Sequence, residues 1–168
     1  MKAIALIGPP QAGKSTLAFS FSKFLEKKGF RVGVANMGES SKALKYAPFW
    51  DARNKKRKTD IFKAARAEGL NFVLLDFTAP FDSFFFSQAE SPLAKCDAVL
   101  LVFEAGSSTH EDAQALAKVL EEKIETKVIP VENKIEIAKA KFAFPSGVIS
   151  VSAWEKMGFQ KLFEALKN

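Results

Sequence analysis

The chain has 168 residues, 48% hydrophobic and 26% charged, enough to bury a core without staples and balanced like an ordinary soluble globular protein. One cysteine excludes an internal disulfide, and no apolar run approaches the roughly 20 residues of a membrane span, so disulfide scaffolds and membrane partners are set aside. The net charge of +6 is moderate, and only its placement bears on nucleic-acid binding.

The first predicted element is a strand over Lys2–Ile7, starting with the chain itself and without a signal-peptide layout; with the lone thiol this leads us to expect a cytoplasmic protein. Directly after it stands Gly8-Pro9-Pro10-Gln11-Ala12-Gly13-Lys14-Ser15-Thr16, which has the form GxxxxGK[ST] between a strand and a helix. In that pattern the two glycines let the chain curl so that successive N–H groups point inward at phosphate oxygens. The lysine reaches the β- and γ-phosphates, and the hydroxyl after it ligates Mg²⁺. The expected phosphate-binding residues are therefore Gly8, Gln11, Ala12, Gly13, Lys14, Ser15 and Thr16, and the expected ligand is a nucleoside triphosphate. The bland alternative is a glycine turn that binds nothing.

A helix follows from Lys14 to about Lys28, with Leu17, Phe21, Phe24 and Leu25 at helical spacing, and Gly29 ends it. Arg31–Asn36 reads as a second strand. A long polar and basic stretch comes next, including Arg53-Asn54-Lys55-Lys56-Arg57-Lys58 with five positive charges in six residues. That run reads first as a solvated surface; contact with RNA or nucleotide phosphates is the less favoured option. A helix over about Asp60–Glu68 leads to a third strand, Phe72–Asp76. Asp76 ends that strand where a carboxylate can hold Mg²⁺, which makes Ser15 and Asp76 the expected metal residues.

After a Phe-rich segment (Phe81, Phe84, Phe85, Phe86) comes a fourth strand, Ala98–Phe103, with Cys96 beside it as a small buried residue. Ser108-Thr109-His110-Glu111 is a capping-box pattern opening a helix with Ala113, Leu116, Ala117 and Leu120 on one face. Strands over about Lys127–Val131 and Val148–Val151 and a last helix with Phe159, Leu162, Phe163 and Leu166 complete the chain. Strands alternating with helices predict a three-layer α/β fold: one domain over residues 1–168, a mainly parallel sheet of about six strands, and helices on both faces.

Asn133-Lys134-Ile135-Glu136 stands directly after the fifth predicted strand and Ser152-Ala153-Trp154 after the sixth. Here the sequence resembles P-loop GTPases, whose guanine motifs NKxD and SAK occupy these places. The resemblance implies that Asn133 bonds the base edge, the Lys134 stem covers one base face and Glu136 replaces the aspartate of the motif. It also implies that Ala153 offers its N–H to the guanine carbonyl, with Ser152 and Trp154 beside it. The strand that comes straight after the first helix, with a helix before the third strand, requires a parallel crossover. Within the GTPases this order resembles the signal-recognition, metal-insertion and GPN-loop branch.

The closest likeness is to GPN-loop GTPases, through Asn36-Met37-Gly38-Glu39-Ser40 against their NLDPA and Tyr46-Ala47-Pro48-Phe49-Trp50-Asp51-Ala52-Arg53 against their YxPxxDxR. The chain departs from the family in lacking the Gly-Pro-Asn loop, and its DxPGQ reads Asp76-Phe77-Thr78-Ala79-Pro80. The glycine and the water-orienting glutamine are both replaced, so slow hydrolysis is expected, with Lys14 and Glu39 as the catalytic candidates and Asp51 as a further acidic one. The implied function is a small GTP-binding protein with weak Mg²⁺-dependent hydrolysis, acting as a switch or assembly factor through an unnamed protein partner. Segments 37–60 and 77–92 are the candidates for nucleotide-dependent change, and the family likeness suggests a homodimer, which the sequence itself leaves open. The alternatives are a P-loop kinase or ATP-binding protein, or a nucleotide-binding module without catalysis.

Overall fold

The computed structural model describes residues 1–37, 49–51, 61–77, 92–107, 110–137 and 147–167. In chain order these form β1 (Lys2–Ile7), α1 (Lys14–Lys27), β2 (Val32–Asn36), β3 (Phe49–Asp51), α2 (Ile61–Ala67) and β4 (Phe72–Asp76). A 3-10 turn (Pro92–Lys95) then leads to β5 (Ala98–Glu104), α3 (His110–Ile124), β6 (Val128–Asn133), β7 (Ile149–Ser150) and α4 (Phe159–Ala165).

The strands form one seven-stranded sheet in the order β3-β2-β4-β1-β5-β6-β7, with every pairing parallel. The predicted α/β class and its parallel crossovers are present. The additional strand is β3, which pairs with β2 at one edge of the sheet. Three residues carry too little periodicity to stand out from the polar and basic sequence around them.

Alternate residues of each central strand feed two cores, as expected of parallel strands covered on both faces. Ile4, Leu6, Leu74, Leu100 and Val102 pack with Leu17, Phe21 and Leu25 of α1 and Phe159 and Leu162 of α4. Ala5, Ile7, Val73, Leu75, Val99 and Leu101 pack on the other face with Phe62 and Ala65 of α2 and Leu120 and Ile124 of α3. Each large side chain so buried contributes about 1.5–3 kcal/mol. Cys96 belongs to the second core, where burial pushes its thiol up to about 12.

This arrangement collects polar residues along one edge of the sheet. Leu6 of β1 and Asn36 of β2 are both in register with Asp76 of β4, and Glu104 of β5 is in register with Asn133 of β6. Asn36, Asp76, Glu104 and Asn133 therefore close their strands side by side at the carboxyl edge. That edge is where open α/β sheets place ligands.

Candidate functional site

The loop from Gly8 to Gly13 leaves β1 at the centre of that edge. Gly8 has φ 138°, and a Cβ there would lie 1.9 Å from the carbonyl oxygen of Val102 in β5. Only glycine lets the loop pass so close to the neighbouring strand. Gly13 has φ 82°, and a Cβ on it would meet Asn133 Nδ2 at 2.5 Å, so glycine is required at both ends of the loop.

Gly13 is also the N-cap of α1, and no side chain caps that end. The first turn carries no acidic residue either, so its unpaired N–H groups and the positive end of the helix dipole are left without a built-in partner. The arrangement suits an anion, and phosphates are bound in such places. Pro10, Gln11, Gly13, Lys14, Ser15 and Thr16, together with Lys134, line a cavity of about 460 Å³ at this helix end. Ligand sites of about 300–1,000 Å³ are typical.

Lys14 is buried within the loop, its ammonium donating to the carbonyls of Gly8 at 2.9 Å and Pro9 at 2.8 Å. Burial lowers its pKa, and the charge of Asp76 opposes that shift. Ser15 donates its hydroxyl to Asp76 Oδ2 at 2.5 Å. Asp76 is 1% exposed, and its other oxygen, Oδ1, has no hydrogen-bond partner among the described residues. Burial raises the Asp76 carboxyl above its ordinary range, while the Ser15 hydrogen bond and the Lys14 charge pull it back in part.

A buried carboxylate oxygen without a partner, beside a hydroxyl, is a hard-oxygen donor set of the kind Mg²⁺ takes with few protein ligands. No group of three or more His, Cys, Asp or Glu residues that could hold a metal occurs among the described residues. Ser15 and Asp76 offer such an ion two protein oxygens.

Asn133 is the last residue of β6 rather than part of the loop after it, because the strand extends two residues beyond the predicted end at Val131. Its buried carboxamide spans the site: Nδ2 donates to Ala12 O at 2.9 Å, and Oδ1 accepts from the Ala153 N–H at 3.0 Å. The Ala153 amide, expected to face a base carbonyl, is engaged by Asn133 in this structure. Lys134 has φ 66° and an ammonium drawn to Glu104 at 2.7 Å, with its stem beside Gly13 in the cavity wall. Ser152 is fully buried, whereas Glu136 and Trp154 are exposed.

The structure therefore brings together the 8–16 loop, Asp76, Asn133, Lys134 and Ala153. Glu136 and Trp154 stand outside the described cavity wall. Glu39, the Arg53–Lys58 run, Ala79, Pro80 and the Phe81–Phe86 segment lie outside the described residues. Asp51 ends β3 in register with Asn36, one strand beyond the Asn36–Asp76 pair. Sequence reasoning missed Glu104. Its signal is the one that marks Asp76, an acidic residue closing an apolar strand at its carboxyl end.

No family model and no curated protein matches the sequence. Among solved structures the fold is similar to that of a GTPase in apo form from Pyrococcus abyssi (PAB0955), with TM-score 0.78 and 16% identity over 99% of this chain and 96% of that one. It is also similar to an LAO/AO transport system kinase, with TM-score 0.64 and 19% identity over 99% of this chain and 58% of that one. A third likeness is to the hydrogenase maturation factor HypB from Archaeoglobus fulgidus, with TM-score 0.62 and 13% identity over 99% and 89% of the two chains. The chain shares the α/β fold of these three structures. No helix among its described residues is long and apolar enough to cross a membrane.

Proposed function

We propose that this chain binds GTP with Mg²⁺, hydrolyses it slowly and acts through a protein partner as a nucleotide-dependent switch or assembly factor, akin to the GPN-loop GTPases. The observation that carries the reading is the bridge made by Asn133. One carboxamide ties the carbonyl of Ala12 in the phosphate loop to the amide of Ala153 in the loop after β7. The two strand ends that resemble guanine-reading motifs are thus fastened to the loop that suits phosphate.

In this reading the α1 amides and the Lys14 ammonium take the β- and γ-phosphates, exchanging the Gly8 and Pro9 carbonyls for phosphate oxygens. Desolvation in the loop makes those charge-assisted contacts stronger than they would be in water. Ser15 and Asp76 would hold Mg²⁺, which when bound neutralises charge developing between the β- and γ-phosphates. Asn133 and Glu136 read the base edge, and the Lys134 stem covers one face of it. Phosphate-holding residues are complete, whereas the glycine and glutamine of DxPGQ are replaced by Ala79 and Pro80, so binding outlasts turnover.

Titration calorimetry of the purified chain with GTP, GDP, ATP and ADP in Mg²⁺ tests the reading. Guanine nucleotides should bind more tightly, because groups built to pair with a polar base edge are left unpaired by the wrong base. Equal affinity for GTP and ATP would remove the guanine assignment, and the absence of binding heat would remove the function.

A further inference from the structure

β7 is a strand of two residues at the edge of the sheet, yet it carries the loop that brings Ala153 to Asn133. The pairs Val131–Ile149 and Glu132–Ser150 attach its backbone to β6, and the Val151 N–H donates to the Glu132 carbonyl at 2.7 Å. So short a ladder gives little hold by itself, and side chains of β6 add to it.

Successive residues of a strand point to opposite faces of the sheet. Val131 belongs to the core shared with α1 and α4, and Asn133, two residues on, reaches Ala12 and Ala153 on that side. Glu132 points to the other side, where its register partner Phe103 packs with Ala113 of α3 and with Val148. Glu132 is 2% exposed, and its Oε2 accepts the Ser150 hydroxyl at 3.2 Å. Two consecutive residues thus grip β7 and its loop from both faces, Glu132 through Ser150 and Asn133 through Ala153.

Ser150 is also the foot of that loop. A Cβ on Gly158 would lie 2.2 Å from the Ser150 carbonyl oxygen, and Gly158, with φ 78°, is the N-cap of α4. With the Ser152–Met157 bridge between them, the chain leaves Ser150 and returns to it. A parallel strand buried on both faces calls for apolar residues, and a buried carboxylate is unfavourable unless hydrogen-bonded. Packing alone gives no reason for a carboxylate at position 132. A grip on the Ser150 hydroxyl does.

We infer that Glu132 is a positioning residue for base recognition: by holding Ser150 it sets where Ala153 stands, and the Ala153 N–H in turn fixes the Asn133 carboxamide. The inference rests on the nucleotide-binding reading above and adds to it a residue that acts through its neighbours rather than on the nucleotide. Releasing Ser150 lets the loop shift and the carboxamide turn, so the base loses a reader set in advance. The phosphate loop keeps its own geometry through Gly8 and Gly13 and its own charge at Lys14. The grip on Ser150 therefore bears on the base and not on the phosphates.

Calorimetry of the full chain with GTP and with inorganic tripolyphosphate, both in Mg²⁺ and well below every variant's melting temperature, separates base from phosphate. Ser150→Ala and Glu132→Ala should each raise the Kd for GTP by about two- to tenfold, the scale of one net hydrogen bond, and leave the tripolyphosphate Kd unchanged. Glu132→Gln keeps an oxygen that accepts from Ser150 and should restore most of the GTP affinity. The double variant should bind GTP no more weakly than Glu132→Ala, because both changes remove the same contact. If the parent binds GTP, a loss shared equally by GTP and tripolyphosphate makes Glu132 a structural residue and overturns the inference. Kd values that stay at the parent's, whatever the melting temperature does, overturn it too, and in both cases nucleotide binding stands. If the parent gives no heat with either ligand, both readings fall together.

Discussion

The side-chain amide of Asn133 donates to the carbonyl oxygen of Ala12 at 2.9 Å, joining groups 121 residues apart. Its carbonyl oxygen meanwhile accepts from Ala153. Removing the side chain leaves a buried acceptor and a buried donor without partners, each costing about 1–3 kcal/mol. Asn133→Ala should lower stability by about 2–6 kcal/mol and the melting temperature by at least about 4–8 °C, with nucleotide affinity falling more than tenfold. Asn133→Asp keeps the acceptor for Ala153 and loses the donor to Ala12. A calorimetric melt in which Asn133→Asp matches the parent would show that the Ala12 bond carries no weight.

Ser15 and Asp76 put function and stability in opposition. Burial raises the Asp76 carboxyl above its ordinary 3.8, so the folded chain holds this proton more tightly than the unfolded one. Its contribution to stability is full below the ordinary value and is lost as pH rises through the raised one. At neutral pH the ionised carboxylate is therefore a cost. Asp76→Asn should raise the melting temperature of the nucleotide-free chain by a few degrees, corresponding to about 1 kcal/mol, and should abolish the Mg²⁺ enhancement of binding. In the parent that enhancement should fade on acidification, at a higher pH than for an exposed carboxylate. Melting curves of parent and variant that run parallel from about pH 4 to pH 8 would contradict this.

How much of this was legible in sequence follows from where the information sits. The 8–16 loop could be read directly, since its glycines answer local backbone needs at Gly8 and Gly13 and its lysine and hydroxyls follow at fixed sequence spacing. Asp76 could be read because it closes an apolar strand. The end of β6 could not be placed: Glu132 and Asn133 look like a loop start, and only tertiary partners (Ser150 for Glu132, Ala12 and Ala153 for Asn133) make them buried strand residues. The link from Glu104 to Lys134 spans 30 residues and two strand ends, and no local pattern announces it. The short β3 was hidden for a related reason, because its identity lies in pairing with β2 rather than in its own composition.

Lys14 donates to the Gly8 and Pro9 carbonyls from a position 6% exposed, and burial already lowers its pKa. Its charge is thus held at some cost for want of a stronger partner. Lys14→Met keeps the stem and removes the ammonium. Triphosphate binding should weaken by about a hundredfold or more, the scale of losing charge-assisted contacts in a desolvated loop. The melting temperature should change by no more than a few degrees. A Kd in the variant within a few-fold of the parent's would move the nucleotide site away from this loop.

Glu104 and Lys134 form a half-buried pair at 2.7 Å, a class of interaction worth about 0–1 kcal/mol to stability. The value of this pair is in placement, since it holds the Lys134 stem as cavity wall. Glu104→Gln should leave the melting temperature within about 4 °C of the parent while nucleotide affinity drops by about three- to tenfold, at most about 1.4 kcal/mol. Glu104→Asp should fall between the two. Equal losses of stability and affinity would make Glu104 a structural residue only.

Turnover should separate from binding. Where the resembled family has a glycine and a water-orienting glutamine, this sequence has Ala79 and Pro80, and a proline side chain cannot hydrogen-bond a water. Loss of such positioning costs about a hundredfold or more in rate, whereas Lys14, Ser15 and Asp76 still supply the hold on phosphate and metal. The chain should bind GTP with Mg²⁺ and release phosphate, without any acceptor, at a single-turnover rate well below about one per second, the low end of ordinary enzyme turnover. Ala79→Gly combined with Pro80→Gln should raise that rate at least tenfold and leave the Kd for GTP unchanged. A parent rate already above about one per second would mean that another residue orders the water. Glu39→Gln would then be the variant to measure, because Glu39 is the acidic side chain nearest in sequence to the end of β2.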